Sequence, residues 1–394
     1  MSIIKKPIVI VGGGFAGINA ALNLKSINSS IPILVIDYQS KFIFKPLLYE
    51  VFSNEIKSWE VAPYFDTIFS EAGIAFLKNK VTYIDLEEKF LKCENNLVLD
   101  FEFLILSTGS LNNNFSIKGV DDNCYFFNNN YDQDKLKLSL NKSCEDGLNK
   151  ELYIVGGGPS GVELACKIHD IYQQKFKINI IESQRQILTN NKEYNREEAE
   201  KAIQARNITL LLNTTVQEVT DKEIIVLDHL QKTIKLNHKA VIWTAGVKPN
   251  IPEISQDLKK MKGRLLVKKT LQLTNFDHIF VVGDIAIVQD DFDLPITAQV
   301  AMQQGIHVAH NLVSLINQSN LHSFEFKDNG EMISLGIGEA SISALGFTLA
   351  GKLAFELRRL IYASKMPLFN RSLKSAASWL ITKKSIFQGL MAKK

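Results

Sequence analysis

Two glycine runs carry the clearest chemistry in this sequence. Pro7–Gly17 reads PIVIVGGGFAG, with Gly12, Gly14 and Gly17 at G-x-G-x-x-G spacing behind the apolar run Ile8, Val9, Ile10, Val11. Phe15 and Ala16 open the stretch that continues as a helix from Ile18 to Leu24. In such a turn one glycine permits the reversal and a second lets backbone N–H groups approach a pyrophosphate. The third packs helix on strand, and the helix N-terminus adds partial positive charge. A second strand, Ile33–Ile36, ends in Asp37, about 20 residues past Gly17, where an acid accepts from ribose hydroxyls.

The arrangement recurs. Leu152–Val155 is a strand, Gly156, Gly158 and Gly161 repeat the spacing around Pro159, and Val162–Ile168 opens a helix. The next strand, Ile178–Ile181, ends in Glu182. With 22 glycines in 394 residues, one such motif arises by chance in about 7% of chains. Two, each with strand, helix and acid in place, are two dinucleotide sites.

The elements that must position them follow. Phe103–Leu106 is a strand closing on Ser107, Thr108, Gly109 and Ser110, and Ala240–Trp243 leads likewise into Thr244, Ala245 and Gly246. Ile279–Val282 runs into Gly283 and Asp284, which can set a carboxylate on the sugar-like chain of a flavin. Alone, Gly-Asp is a turn signal. After the second nucleotide unit it implies that the chain returns to its first domain. The expected fold is α/β: two Rossmann-like dinucleotide-binding domains, the second inserted in the first, and a C-terminal amphipathic helical segment. The expected bounds are 1–115 with 272–325, 116–271, and 326–394.

Length and composition agree. At 44.3 kDa the chain exceeds one compact core. It is 46% hydrophobic and 22% charged, an ordinary globular balance. No run of about 18 uncharged apolar residues predicts a membrane span, and the N-terminus shows no signal-peptide pattern. Cys93, Cys124, Cys144 and Cys166 stand singly, which disfavours a disulfide framework, a zinc site and a redox dithiol. The seven histidines show no metal spacing beyond His307 and His310, read as helix surface. From Ile342 onward ten Lys or Arg, Arg358 among them, face one acid, Glu356: net +9, against −6 for the rest of a chain of +3. A basic end on a mildly acidic body points to an anionic contact, and the body gives no sign of nucleic acid.

At these residues the sequence resembles the two-dinucleotide-binding flavoproteins, and within them the type II NAD(P)H:quinone oxidoreductases (type II NADH dehydrogenases). The resemblance rests on Ile10–Gly17, Phe44–Val51 (FKPLLYEV), Ser107–Ser110, Gly156–Glu163, Trp243–Pro249, Val281–Asp284 and Pro295–Gly305, in order along most of the chain. The segments PLLYEV and Ala298–Gln304 (AQVAMQQ) are the most specific for quinone-reducing members. Gly351–Tyr362, Met366-Pro367 and Trp379-Leu380 look like the cyanobacterial and plastid branch, which reduces plastoquinone-like or demethylphylloquinone-like quinones. The acceptor expected is a plastoquinone-, menaquinone- or demethylphylloquinone-like membrane quinone.

The resemblance implies FAD on the first fingerprint, held by Gly12, Gly14, Phe15, Ala16, Gly17 and Asp37 and lined by Thr108, Gly109, Gly283 and Asp284. Lys45, Pro46 and Leu47, with Phe44 and Tyr49, would shield the flavin or belong to the core. NAD(P)H would lie on Gly156, Gly158, Pro159, Gly161 and Glu182, with Ala245 and Gly246 beside it. Glu182 should repel a 2′-phosphate and so favour NADH, while Arg185 and the branch resemblance lean toward NADPH.

Glu163, two residues past Gly161, either orients the nicotinamide at the flavin or only complements a helix dipole, worth about 0.3–1 kcal/mol. Gln299 and Gln303 share one helix face, and with Ala298 and Ala301 they suit an uncharged quinone, or else form a solvated face. Together with Glu163 they are the candidate catalytic residues. Phe369–Met391 has the pattern of an in-plane amphipathic helix that contacts an anionic membrane, mediates a homodimer, or both. The place implied is the cytoplasmic face of a membrane, thylakoid or plasma membrane of a cyanobacterium. Rival readings are a reductase of a soluble protein such as ferredoxin, and a non-enzymatic FAD/NAD(P)H redox sensor.

Overall fold

The run Ile8–Val11 is wholly buried and pairs in parallel with a strand on each side, the position that a continuous apolar run suits. A computed structural model describes residues 6–145, 147 and 150–367. The segment Phe369–Met391, read above as an amphipathic helix, lies outside the described residues. The chain divides into two compact units, one of residues 1–43, 62–111 and 247–327, the other of 44–61, 112–246 and 328 onward.

In the first unit the parallel strands run in the order Phe276–Val281, Phe103–Leu106, Ile8–Val11, Ile33–Asp37, Ala75–Lys78. The register is tight: Val11 lies opposite Ile36 on one side and Leu106 on the other. The residues that follow, Gly12, Asp37 and Ser107, are therefore brought to one carboxyl edge. Arg264–Val267, Gln272–Leu273 and Lys260–Met261 extend this sheet. With Glu253–Ile254, which pairs with Val81–Asp85, they bring the stretch from Val247 into this unit ahead of the expected 272. The extending strands are only two to four residues long, against six for Phe276–Val281, the strand that the apolar run Ile279–Val282 marked.

Helices Phe15–Ile27 and Ala298–Ile316 pack on each other in this unit. They meet where a Cβ on Gly305 would lie 2.2 Å from the Ala16 carbonyl oxygen. Only hydrogen fits there.

The second unit repeats the plan with the strand order Thr209–Leu211, Phe176–Ile181, Lys150–Val155, Ala240–Trp243, all parallel. Val155 lies opposite Ile181 and Trp243, so Gly156, Glu182 and Thr244 share an edge. Three antiparallel strands, Glu331–Ser334, Ala340–Ala344 and Phe347–Gly351, and the helix Lys352–Ser364 belong to this unit instead of a separate region from 326. The segment 44–61, expected in the first domain, also groups here, because its helix Leu48–Phe52 packs on helices Asn130–Cys144 and Pro159–Tyr172.

The helix Lys352–Ser364 inverts the usual pattern. Ala354, Phe355 and Arg358 face inward, Arg358 at 0% exposure, while Leu353, Leu357 and Leu360 are exposed. Arg358 therefore leaves the set of tail cations available to an outside anion.

Replacing Gly305 by Ala should force the two helices of the first unit apart. We expect a loss of about 1–3 kcal/mol, read as a lower unfolding midpoint of the flavin-loaded protein. An unchanged midpoint would mean that the helices separate without penalty.

Candidate functional site

At the first fingerprint Gly12 takes φ +100° and donates its N–H to the Ile36 carbonyl at 2.8 Å. A Cβ on Gly17 would sit 1.9 Å from the Gly12 oxygen, so helix and turn touch through hydrogen alone. The Ser107 hydroxyl donates to the Val11 and Gly12 carbonyls at 3.0 and 2.8 Å. Gly13 N–H reaches Asp37 Oδ2 at 2.7 Å, and Gln39 N–H reaches Oδ1 at 2.8 Å. Burial pushes the Asp37 carboxyl up, against those two backbone donors. A carboxylate has about four acceptor sites, which leaves room for sugar hydroxyls. Gly14, at the helix N-cap, has open space where its Cβ would be, as a cradle for a pyrophosphate requires. Phe15 stacks edge-on to Phe42, with ring centroids 5.2 Å apart.

Farther along the same edge, Gly109 takes φ +68° beside open space, and the Thr108 hydroxyl is tied to the Asn250 carbonyl. Ser110 Oγ donates to Asp284 Oδ2 at 2.5 Å, and Gly283 N–H donates to Gln304 Oε1 at 2.6 Å. Arg264, 7% exposed, donates to the Ala286 carbonyl at 3.3 Å and lines a cavity of about 10 Å³ with Asp284, Thr297 and Gln304. Arg264 and Gln304 escaped the sequence reading. Gln304 differs from its neighbour Gln303 only in facing the core.

Gln299 and Gln303 do lie on one helix, Ala298–Ile316, whose N-cap Thr297 accepts from Val300 N–H at 3.2 Å. Ala298 and Gln299 are half-buried. Gln303 is committed to Lys327, donating to its carbonyl at 2.8 Å and accepting its N–H at 3.0 Å. Its amide thus anchors the chain that leaves this helix.

The second fingerprint repeats the first contact for contact. Gly156 takes φ +110°, its N–H reaches the Ile181 carbonyl at 2.8 Å, and a Cβ on Gly161 would be 1.9 Å from the Gly156 oxygen. Thr244 stands where Ser107 does, donating to the Val155 carbonyl at 2.9 Å. Gly157 N–H meets Glu182 Oε2 at 2.6 Å, and Gln184 N–H meets Oε1 at 2.8 Å. Gly158 caps the helix Pro159–Tyr172 over open space, with Pro159 in its first turn. Ala245 backs onto Gly156, and Gly246, at φ +66°, lies under the Phe115 ring. Arg185 is exposed on the loop beyond Glu182.

Glu163, on that helix, is 5% exposed. Its Oε1 accepts from Ser334 N–H at 2.7 Å and from Arg358 Nη2 at 3.3 Å. Arg358 also donates through Nη2 to the Pro46 carbonyl at 2.7 Å and through Nη1 to Glu50 Oε1, with the Tyr362 ring 4.8 Å from its Cζ. Burial lifts the Glu163 carboxyl from its ordinary 4.5 to about 7; Arg358 opposes the rise and Glu50 adds to it. Segment 44–51 thus supplies this cluster. Pro46 and Glu50 hold Arg358, Leu47 is buried, Phe44 packs on Tyr362 with centroids 5.4 Å apart, and Lys45 is exposed. Nearby, buried Lys167 pairs with Glu55.

The four cysteines are free. Burial holds the Cys124 and Cys166 thiols up to about 12, so neither is a thiolate at neutral pH.

A family model for pyridine nucleotide-disulphide oxidoreductases matches residues 6–305. The chain is similar to the demethylphylloquinone reductase NdbB of Synechocystis, 33% identical over 387 residues that cover 95% of each protein. It is 29% identical over 419 residues to the alternative NAD(P)H-ubiquinone oxidoreductase C1 of Arabidopsis thaliana, covering 95% of this chain and 80% of that one. Its fold is that of NDH2 from Plasmodium falciparum solved with NADH, at TM-score 0.87 and 19% identity, over 96% of this chain and 98% of that one.

The raised Glu163 carboxyl has a consequence for stability. Between pH 4.5 and 7 the folded protein holds a proton that the unfolded chain releases, so stability falls as pH rises through that window. Glu163→Gln removes the linkage. From pH 5 to 8 the wild type should lose up to about 3 kcal/mol relative to the variant, measured by denaturant unfolding. Parallel pH curves would place the carboxyl near its ordinary value.

Proposed function

We infer that this chain, which belongs to the pyridine nucleotide-disulphide oxidoreductase family, is an FAD-dependent enzyme that passes electrons from NAD(P)H to a quinone. The observation that carries the reading is the matched pair of carboxyl edges, Gly12–Asp37–Ser107 and Gly156–Glu182–Thr244, each open at a helix N-terminus. FAD belongs on the first and NAD(P)H on the second. When bound, FAD would supply the capacity to accept a hydride from the nicotinamide and to pass electrons on to a quinone.

The protein's part is to hold and orient. Gly14 and Gly158 leave the helix N-termini bare for phosphates, Asp37 and Glu182 receive ribose hydroxyls, and Asp284, with Thr108 and Gly109, lines the flavin's ribityl side. Glu182 disfavours a 2′-phosphate, so NADH is the preferred donor, with Arg185 leaving NADPH usable. Glu163 orients the nicotinamide ring. Gln299 and Gln303 are the candidate quinone contacts, and the Gln303 amide would have to leave Lys327 to serve as one. The quinone is a naphthoquinone of the kind in the cyanobacterial relative's name, reduced without proton pumping.

We also propose attachment to an anionic membrane surface. No helix among the described residues is long and apolar enough to cross a membrane. Leu353, Leu357 and Leu360 form an exposed row, and Leu345 and Phe347, each 78% exposed, lie in the hairpin just before it. Lys352 and Lys365 flank the row. Such a surface suits the boundary between headgroups and acyl chains.

Anaerobic stopped-flow mixing tests the reaction. NADH should bleach the flavin, and a short-chain quinone should restore it faster than ferredoxin does. Gly161→Ala should retain flavin yet lose bleaching, while Gly17→Ala should lose the flavin itself. Recolouring by ferredoxin alone would make a soluble protein the acceptor, and no bleaching at all would leave a sensor.

For the membrane, Leu353, Leu357 and Leu360 changed together to Gln should cut co-sedimentation with anionic vesicles several-fold while flavin content holds. Undiminished sedimentation would move the contact elsewhere.

A further inference from the structure

Glu50 lies in the segment PLLYEV, and no step above needs it. It is 0% exposed, and it shares one guanidinium with Glu163: Arg358 Nη1 goes to Glu50 Oε1, and Nη2 goes to Glu163 Oε1 and the Pro46 carbonyl. Its other oxygen, Oε2, is buried without a hydrogen-bond partner among the described residues, as is Arg358 Nε. A buried acid with an orphan oxygen is a poor stabilising device. Isosteric apolar side chains would fill the same space without desolvating a carboxylate.

We propose that Glu50 is a positioning residue: by taking half of the Arg358 fork it fixes the guanidinium under Glu163 and withholds full neutralisation from it. The cluster then has two acids to one base. Glu163 is the member with residual exposure, 5% against 0% for Glu50, so it is the carboxyl that exchanges a proton. Its backbone donor, Ser334 N–H, works the other way, toward the ionised form. This rests on Glu163 being the residue that orients the nicotinamide.

Among the described residues, the cations that act on Glu163 are Arg358 and, more weakly, Lys167. Helix Leu48–Phe52 presents Tyr49 and Glu50 to Glu163, and helix Lys352–Ser364 presents Arg358 and Tyr362. Its own helix presents Cys166 and Lys167. Of the two cations Lys167 is already paired with Glu55, which leaves Arg358 to be divided. Burial is the chief cause that lifts Glu163 to about 7; Arg358 draws the carboxyl down, and Glu50, held on the same guanidinium, adds to the rise.

The test follows two readouts on the FAD-loaded protein across pH 5–9: unfolding midpoint, and kcat/KM for NADH with a water-soluble quinone. In wild type both should show an inflection near 7 that Glu163→Gln removes. Glu50→Gln releases Arg358 to Glu163 and should move that inflection down by about one pH unit or more. Glu50→Asp, drawn back by one methylene, should move it the same way by less, and it serves should the Gln variant fail to fold. Variants that lower the midpoint equally at every pH while the inflection stays put would make Glu50 merely structural and overturn the proposal. An inflection in kcat/KM that survives Glu163→Gln would instead overturn the role of Glu163 itself.

Discussion

Arg358 is fully buried, and three stretches of the second unit meet at its charge. Desolvation works against the guanidinium, and Glu50, Tyr362 and Glu163 outweigh it. Those partners come from three separate stretches: the turn and helix after Phe44, the fingerprint helix Pro159–Tyr172, and the helix Lys352–Ser364. One planar fork with several donors can join three backbones at once, which a lysine ammonium does less specifically. Removing one acid from such a set typically costs about 3–5 kcal/mol, because the remaining charge stays buried. The fingerprint helix thus has its N-terminal turn free for a ligand while its second turn is fixed by charge.

The two nucleotide cradles reach the same geometry from different residues. Register supplies most of it: each glycine turn follows a strand whose neighbours bring an acid and a hydroxyl to the same edge. Ser107 and Thr244 close the turn's carbonyls, and Gly13 and Gly157 turn their N–H groups onto the acid. Because the carbonyls are satisfied inside the turn, the N–H groups of the following helix are the polar groups left facing outward. That is an anion site made by backbone alone. The sequence may vary around it as long as glycine remains where a Cβ would collide.

This explains what was legible beforehand. Strands Ile8–Val11, Phe103–Leu106 and Ala240–Trp243, both glycine turns and both acids are local signals: a run of apolar residues, a spacing, a terminal carboxylate. The bounds of the units were less visible, because Lys260–Met261 and Arg264–Val267 are two and four residues long and join the first sheet through backbone pairing that so short a run does not announce. Gln304 and Arg264 look like surface residues in the sequence, and only helix phase and strand facing bury them. Glu50, Glu163 and Arg358 lie as far as 308 positions apart, and nothing short of tertiary structure joins them. The helix Lys352–Ser364 shows the same limit: hydropathy alone would put its leucines inside and its arginine out.

That inversion has a physical cause that links the interior to the surface. With Glu50 and Glu163 buried beneath it, the inner face of this helix must carry a cation, so Arg358 takes the place an apolar residue would have. Tyr362 and Phe44 pack around the guanidinium and its stem. The leucines at 353, 357 and 360 then fall on the outer face by helical phase, since residues three and four apart share a side. Fully burying a leucine is worth about 1.5–3 kcal/mol, so an exposed row of three represents a real drive toward an apolar cover. The charge that holds Glu163 in place and the apolar row turned to the outside are therefore two faces of one helix, and a substitution that neutralised the inner one would remove the reason for the outer.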